Sequence, residues 1–380
     1  MNCTKKLIKE YNSTKGNGFE AAPRSVESYK DSAVGTALTI YKKVVDISTK
    51  KLQKKEQIFY YGLNQIDYNK VQKKLKQQRD FLQYSYLYDR INKNSIPLKD
   101  LVISPNHSPN RYYSEIQNRI NTLTKVAKQK GLKPLFMTLT LPSEYHQYKT
   151  TKQGKLISNP KYNGTSPKDA VIELTKMFSR LRHDRSLKEL SKDQRIYFRV
   201  NEPHKDGTPH THILLFIPQE RIERIKKAFY RLFDNKGNDI QDDIKGSAAY
   251  IMKYINKTLP LSKQKDLTLK DQYLNVWYSK HRIIRFNSSK TLAPLAIYRL
   301  LYSRFSLYAL TKLLNNNELN IYVALDTPKI MQIIDEFGDA IYTRSDNYNI
   351  VVMSSSFRPG SNAAICEHYS QNNDLTNEVR

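Results

Sequence analysis

Hydrophobic and polar positions change their period several times along this 380-residue chain. Residues 1 to about 30 are polar and aperiodic and are expected to be poorly ordered. From Ala37 to Asn94, apolar residues recur at mixed helical spacing (Phe59, Leu63, Ile66, then Val71, Leu75, Leu82 and Tyr86), which predicts helices. The turn-rich segment Ser104 to Asn110 follows, and a helix is predicted from Tyr113 to Lys130, ended by Gly131. Next, Leu135 to Leu141 reads as a strand stopped by Pro142, Pro167 to Arg185 as a helix, and Arg195 to Asn201 as a strand. Asp206-Gly207 marks a hairpin turn into a second strand beginning at His210, after which helices are predicted from Gln219 to Phe233 and over Tyr250 to Lys257.

This β-α-β-β-α-α order predicts an α+β fold, an antiparallel sheet with helices packed on one face. The segmentation is a helical N-terminal region over 1–110, a central domain over 111–314 and an acidic accessory region over 315–380. In the last of these, strand-like runs (Asn320 to Leu325, Ala340 to Thr343, Asn349 to Met353) flank one helix, and a polar tail follows Pro359.

Two patterns carry chemistry. In Pro209-His210-Thr211-His212 the histidines are spaced i, i+2 at the head of an apolar run. On a strand they share one face about 7 Å apart, a spacing that suits two imidazoles converging on one metal ion. A third ligand is needed, and Glu202 and His204 lie across the hairpin. A plain two-residue turn would set Glu202 opposite Thr211, facing away, whereas an odd-length loop would bring it back; Glu202 is favoured, with His204 as the alternative. Thr138 and Thr140 share a strand face and border this region. The second pattern, Tyr250-Ile251-Met252-Lys253-Tyr254-Ile255-Asn256-Lys257, puts both tyrosines and both lysines on one helical face and Ile251, Met252 and Ile255 on the other. A phenol with a pKa near 10 needs a cationic neighbour, a base or a metal-activated phosphate to act as a nucleophile. Lys253 and Lys257 each follow a tyrosine by three residues. Together the patterns suggest metal-assisted attack by tyrosine on a phosphodiester.

Charge sharpens this reading. The chain has 63 Lys and Arg against 36 Asp and Glu, a formal net charge of +27, while residues 315–380 alone are net acidic. A field of that sign implies a polyanion, with nucleic acid ahead of a membrane surface. Basic side chains, among them Arg199, Lys205, Arg282 and Arg285, are expected to grip the DNA backbone, and Tyr112, Tyr113 and Trp277 are candidates to stack on bases. Cys3 and Cys366 give no disulfide framework and no thiolate site. With no signal-peptide core and no apolar run long enough to span a bilayer, a cytoplasmic location is expected.

Leu135 to Pro142 (LFMTLTLP), Asn201 to His212 (NEPHKDGTPHTH) and Tyr250 to Lys257 (YIMKYINK) together resemble the bacteriophage replication gene A protein family, within the HUH-type rolling-circle endonucleases. Trp277 to Phe286 resembles a downstream segment of that family, so the likeness covers about residues 110–310. It implies an HUH endonuclease core and a divalent ion, Mg²⁺ or Mn²⁺ with Zn²⁺ also compatible, held by His210, His212 and the third ligand. It further implies Tyr250 and Tyr254 as alternating nucleophiles that nick single-stranded origin DNA, remain joined to the 5′ phosphate and release a 3′-OH primer, in a phage-infected bacterial cytoplasm. No Walker-type loop is present, so a host helicase and polymerase are implied partners. The competing readings are a transposase or mobilisation relaxase of the same chemistry, a non-catalytic DNA-binding protein, and a metallohydrolase of small phosphoesters.

Overall fold

The computed structural model describes residues 60–263, 267–301, 304–324, 329–344 and 348–352. The expectations for the first 30 residues, the helices between Ala37 and Phe59, and the tail after Pro359 lie outside these.

The centre is a five-stranded antiparallel sheet. Its strands are β1 (Lys133–Leu139), β2 (Ile196–Pro203), β3 (Pro209–Ile217), β4 (Asp239–Gln241) and β5 (Phe286–Ser288), in the spatial order β4-β1-β3-β2-β5. The two hairpin strands β2 and β3 thus sit in the middle, where both edges are paired. Helices α1 (Gln65–Tyr84), α2 (Pro109–Gln129), α3 (Pro167–His183), α4 (Ile222–Leu232), α5 (Ser247–Thr258) and α6 (Leu269–His281) surround it.

Helices cover both faces of this sheet, which corrects the one-faced arrangement predicted. Phe136, Phe198, Val200, Leu214 and Phe216 meet α2, α5 and two further helices, Leu295–Leu300 and Leu307–Asn315. Leu135, Met137, Leu139, Ile213, Leu215 and Ile217 meet α3 and α4. The near-continuous apolar runs of β1 and β3 are the reason: a strand with apolar residues at both parities must be buried on both sides. Each helix turns an amphipathic stripe inward, as in α3 with Ala170, Leu174, Phe178 and Leu181 buried. Ser166 caps its first turn and Pro167 occupies the adjoining position, where a missing N–H costs nothing.

Two more elements differ from expectation. The helical reading through Asn94 stops at Tyr84, and Ser85–Asp89 is a strand that buries Tyr86 and Tyr88 on one face. It pairs antiparallel with Ser95–Pro97 on one side and with Tyr348–Val352 on the other. In the accessory region, the segment read as a helix is the strand Ile330–Asp335, paired with both Leu319–Val323 and Ala340–Thr343. Among the described residues, no helix is long and apolar enough to cross a membrane.

A third apolar cluster holds α6 against α1. Leu63, Tyr273, Leu274, Val276, Trp277 and Tyr278 are buried together, with Tyr60 and Tyr68 packed on them. This cluster matters for the site because it backs onto the β2–β3 hairpin.

Candidate metal and tyrosine site

The hairpin register decides which side chains meet. Pro203 pairs with Pro209 and Glu202 with His210, leaving the five residues His204 to Thr208 as the connection. The loop is therefore odd in length, and Glu202 lies on the face of His210 and His212. The loop is closed by a hydrogen bond from His204 N to the Thr208 carbonyl, 2.8 Å, and by Asp206, whose carboxylate accepts from the Thr208 hydroxyl at 2.8 Å.

Gly207, at φ 92°, is the loop residue that only glycine satisfies. A Cβ there would stand 2.2 Å from the Tyr61 carbonyl oxygen. That close approach is one half of a clamp. Tyr61 N donates to the Lys205 carbonyl at 3.1 Å, and Trp277 Nε1 donates to the Gly207 carbonyl at 2.9 Å. Tyr278 adds a 2.6 Å bond from its hydroxyl to the Asn201 carbonyl.

On this hairpin the three donors converge. His210 Nε2 and His212 Nε2 are 3.0 Å apart, and one oxygen of Glu202 is 3.7 Å from each. All three residues are buried or nearly so, and among the described residues the other Glu202 oxygen and His210 Nδ1 have no hydrogen-bond partner. Two nitrogens each about 2.1 Å from a common ion stand roughly 3 Å apart, so the spacing and the nitrogen–oxygen donor set fit a divalent cation. Thr138 Oγ1 lies 3.1 Å from His212 Nδ1 and fixes the ring so that Nε2 faces inward. Burial, reinforced by His204, His212 and Lys257, pushes His210 well below the usual imidazole range, which keeps it neutral and able to act as a ligand.

His204, the alternative third ligand, is not part of the convergent group. Its ring stacks 4.2 Å from that of His210, and burial followed by His146 lowers its pKa. Thr140 donates its backbone N–H to Asn238 Oδ1 at 2.8 Å.

Helix α5 lies over the same sheet face. Ile251 and Ile255 are fully buried against it, which rotates Tyr250 and Tyr254 toward Phe136 and the histidines. The Tyr254 ring is 3.9 Å from His212 and stacks on Phe136 at 5.2 Å; Tyr250 meets Phe136 edge-on at 4.7 Å. The two phenol rings are 5.9 Å apart, and the Tyr250 hydroxyl donates to Gln241 at 3.3 Å. Burial, reinforced by the Tyr250 hydroxyl, holds Tyr254 well above the ordinary phenol value. Lys257 Nζ sits 5.0 Å from the Tyr254 ring centre, and both Lys253 and Lys257 are exposed.

The four cations singled out for DNA divide into two pairs. Lys205 and Arg282 are exposed. Arg285 is buried, donates to the Thr258 carbonyl at the end of α5 and to Asn275, and has its pKa lowered by burial to about 10. Arg199 is buried beside Phe178 and is likewise lowered by burial. Neither is presented to a polyanion, so that expectation is corrected for both. Trp277 is fully buried and cannot stack on a base, and Tyr112 is packed on Phe286.

The His146–Asp206 pair, at 2.8 Å, was not anticipated. Its hydrogen bond with Asp206 raises His146 against the effect of burial; burial would raise Asp206, but His146 and Thr208 hold it below the ordinary carboxylate value. A lone histidine in a loop leaves no spacing to read. The clamp by Tyr61 was also missed; its one sequence trace is Gly62 beside a tyrosine pair.

A mixed helix–sheet protein with three convergent donors on its central hairpin and two phenols on the helix above is the class that the fold and site define. The family model described as bacteriophage replication gene A protein matches residues 39–261, well over half of the chain. The chain belongs to this family. It is 36% identical over 162 residues to the replication gene A protein of Escherichia phage 186, covering 38% of this chain and 22% of that one. It is 28% identical over 275 residues to the replication protein of Haemophilus phage HP1, covering 66% and 33%. Against a probable replication endonuclease from a prophage-like region of Salmonella typhi it is 27% identical over 249 residues, covering 58% and 30%. The matched segments thus span a third or less of these relatives. No solved structure matches.

Proposed function

We propose that this chain is a replication initiator that nicks single-stranded origin DNA through a tyrosine–phosphate linkage, in the manner of rolling-circle endonucleases. The observation that carries the reading is the contact of the Tyr254 ring with His212, which sets a phenol against the three convergent donors while a second phenol lies one helical turn away. The names of the relatives as replication proteins and probable replication endonucleases support it.

Glu202, His210 and His212 would hold a divalent ion, Mg²⁺ or Mn²⁺ or a Zn²⁺ ion, which when bound polarises a phosphate and stabilises its developing charge. The remaining work falls to the protein's own groups. Tyr254 stays neutral at physiological pH because its pKa is raised, so its attack depends on positive charge at the phosphate and on Lys257 beside its ring. As the phenol oxygen bonds to phosphorus, its proton passes to solvent and the bond to the 3′ oxygen breaks. The Lys257 ammonium is placed to return a proton to that oxygen, giving the 3′-OH that primes synthesis. The 5′ phosphate remains on tyrosine. Tyr250 then attacks the regenerated origin, and the freed 3′-OH resolves the first phosphotyrosine, closing the circle without nucleotide hydrolysis. Thr138 and Phe136 orient His212 and both phenols throughout.

The test is a denaturing gel of labelled single-stranded oligonucleotides tiled across the gene and its flanks, incubated with protein and Mn²⁺. A fragment joined to the protein through the 5′ phosphate at the nick is expected, abolished by EDTA and by the Tyr250→Phe/Tyr254→Phe double variant. Tyr254→Phe alone should cost more than Tyr250→Phe, by at least tenfold in the initial rate. DNA binding without any adduct would overturn the reading.

A further inference from the structure

We propose that the recess beside the donor triad, formed where Tyr60 and Tyr61 approach the hairpin loop, is a base pocket for one nucleotide flanking the scissile phosphate. The inference rests on the tyrosine-nuclease reading and adds a specificity element to it.

The recess is about 570 Å³, within the range of sites that enclose a small organic group. Its wall includes Glu202, one of the three donors, and Lys257, the lysine over Tyr254, so it borders the centre where a phosphate would react. Two aromatic residues, Tyr60 and Tyr61, line it together with Lys205 and Lys270. Both of these lysines are exposed, and neither is in an ion pair among the described residues. Aromatic faces beside cations that hold no carboxylate match what a nucleotide presents, a flat π-face joined to an anionic linkage. Leu156, Pro203 and Leu274 add apolar surface, and Asp271, whose carboxylate accepts from the Thr268 hydroxyl, adds a second acidic group beside Glu202; apolar walls suit a flat base, and a carboxylate disfavours a second phosphate.

The pocket is also wired to the donors. Tyr61 N donates to the Lys205 carbonyl, three residues beyond Glu202 on the same hairpin, and the Tyr61 carbonyl is the group that Gly207 is shaped to admit. An occupant pressing on Tyr61 therefore bears on the loop that aims Glu202. Tyr61 remains a neutral phenol, since burial raises its pKa to about 12, and a neutral ring does not repel the DNA backbone.

The experiment uses the full chain, Mn²⁺ and an oligonucleotide that forms the adduct, with single abasic sites placed at each of three positions on either side of the nick. One flanking abasic site is expected to raise KM about tenfold in the wild type. Lys270→Ala, a change at an exposed position, should raise KM about fivefold on the intact oligonucleotide with kcat within twofold, and should add nothing on the abasic one. Tyr60→Leu should behave likewise. Multiplying effects of variant and abasic site, or insensitivity to every flanking abasic site while the adduct still forms, overturns the pocket alone. Failure to form an adduct on any oligonucleotide removes the nuclease reading and the pocket with it.

Discussion

The hairpin that carries the donors and the helix that carries the tyrosines are held in different ways. The hairpin loop is gripped through its backbone: Tyr61 on the Lys205 carbonyl, Trp277 on the Gly207 carbonyl, Tyr278 on the Asn201 carbonyl. Helix α5 is held by apolar contact along one stripe, Ile251 and Ile255, and at its last turn by Arg285 on the Thr258 carbonyl. Its tyrosines are only partly buried and Lys253 is exposed. Hydrogen bonds onto the hairpin's own carbonyls hold its backbone in place, to the roughly 0.5 Å that a set of metal ligands requires. Apolar packing on one side fixes a helix while leaving side chains on its other face free to rotate, which two nucleophiles taking turns at one phosphate require.

If that contrast is correct, breaking the clamp should disturb metal affinity and breaking the helix packing should not. Gly207→Ala sets a methyl against the Tyr61 carbonyl and forces a side chain into positive φ. Overpacking and backbone strain together should cost about 4 kcal/mol, read by urea unfolding, and Mn²⁺ affinity measured calorimetrically should fall at least tenfold in the protein that remains folded. Ile255→Ala removes a fully buried side chain and should cost about 3 kcal/mol, with Mn²⁺ affinity held within threefold. Equal loss of metal affinity in both variants would dissolve the distinction.

The smallest effect concerns the outer side of the loop, where His146 meets Asp206. The stability contributed by the raised histidine is full below its unfolded value of 6.5 and is lost as pH rises through its folded value. That of the lowered aspartate is full above 3.8 and is lost as pH falls through its folded value. The pair should therefore contribute most between these limits. His146→Gln is expected to lose about 1 kcal/mol at pH 5.5 and distinctly less at pH 8.5, measured by unfolding at both values. A pH-independent loss would show that packing, not the ion pair, secures the loop from that side.

What the sequence made legible follows from how each feature is encoded. His210 and His212 are readable because strand period is a local property, and Ile251 and Ile255 because helix period is too. Glu202 stood open between two orientations because the parity of the loop decides its face, and parity depends on contacts from Tyr61 and Trp277 that lie far away in the chain. Arg199 and Arg285 were misjudged because a cation's letter carries no sign of burial; both serve inside, Arg285 at the end of α5. The covering of both sheet faces had a signal in Ile213 to Ile217, an unbroken apolar run that a half-exposed strand would not need. Ile330–Asp335 misled because six residues are too few to separate a short helix from a strand flanked by partners.

The pairing of Ser85–Asp89 with Tyr348–Val352 has a consequence for how the chain is made. The two strands are about 260 residues apart, so at ribosomal speeds of roughly 5–20 residues per second the first waits some 13 to 50 seconds for the second to emerge. Through that interval one edge of Ser85–Asp89 offers unpaired N–H and C=O groups to any neighbouring nascent chain. A frameshift or premature stop between Lys257 and Tyr348 would make that wait permanent, so such products should be recovered as aggregates even though every residue of the donor triad and both tyrosines had been synthesised.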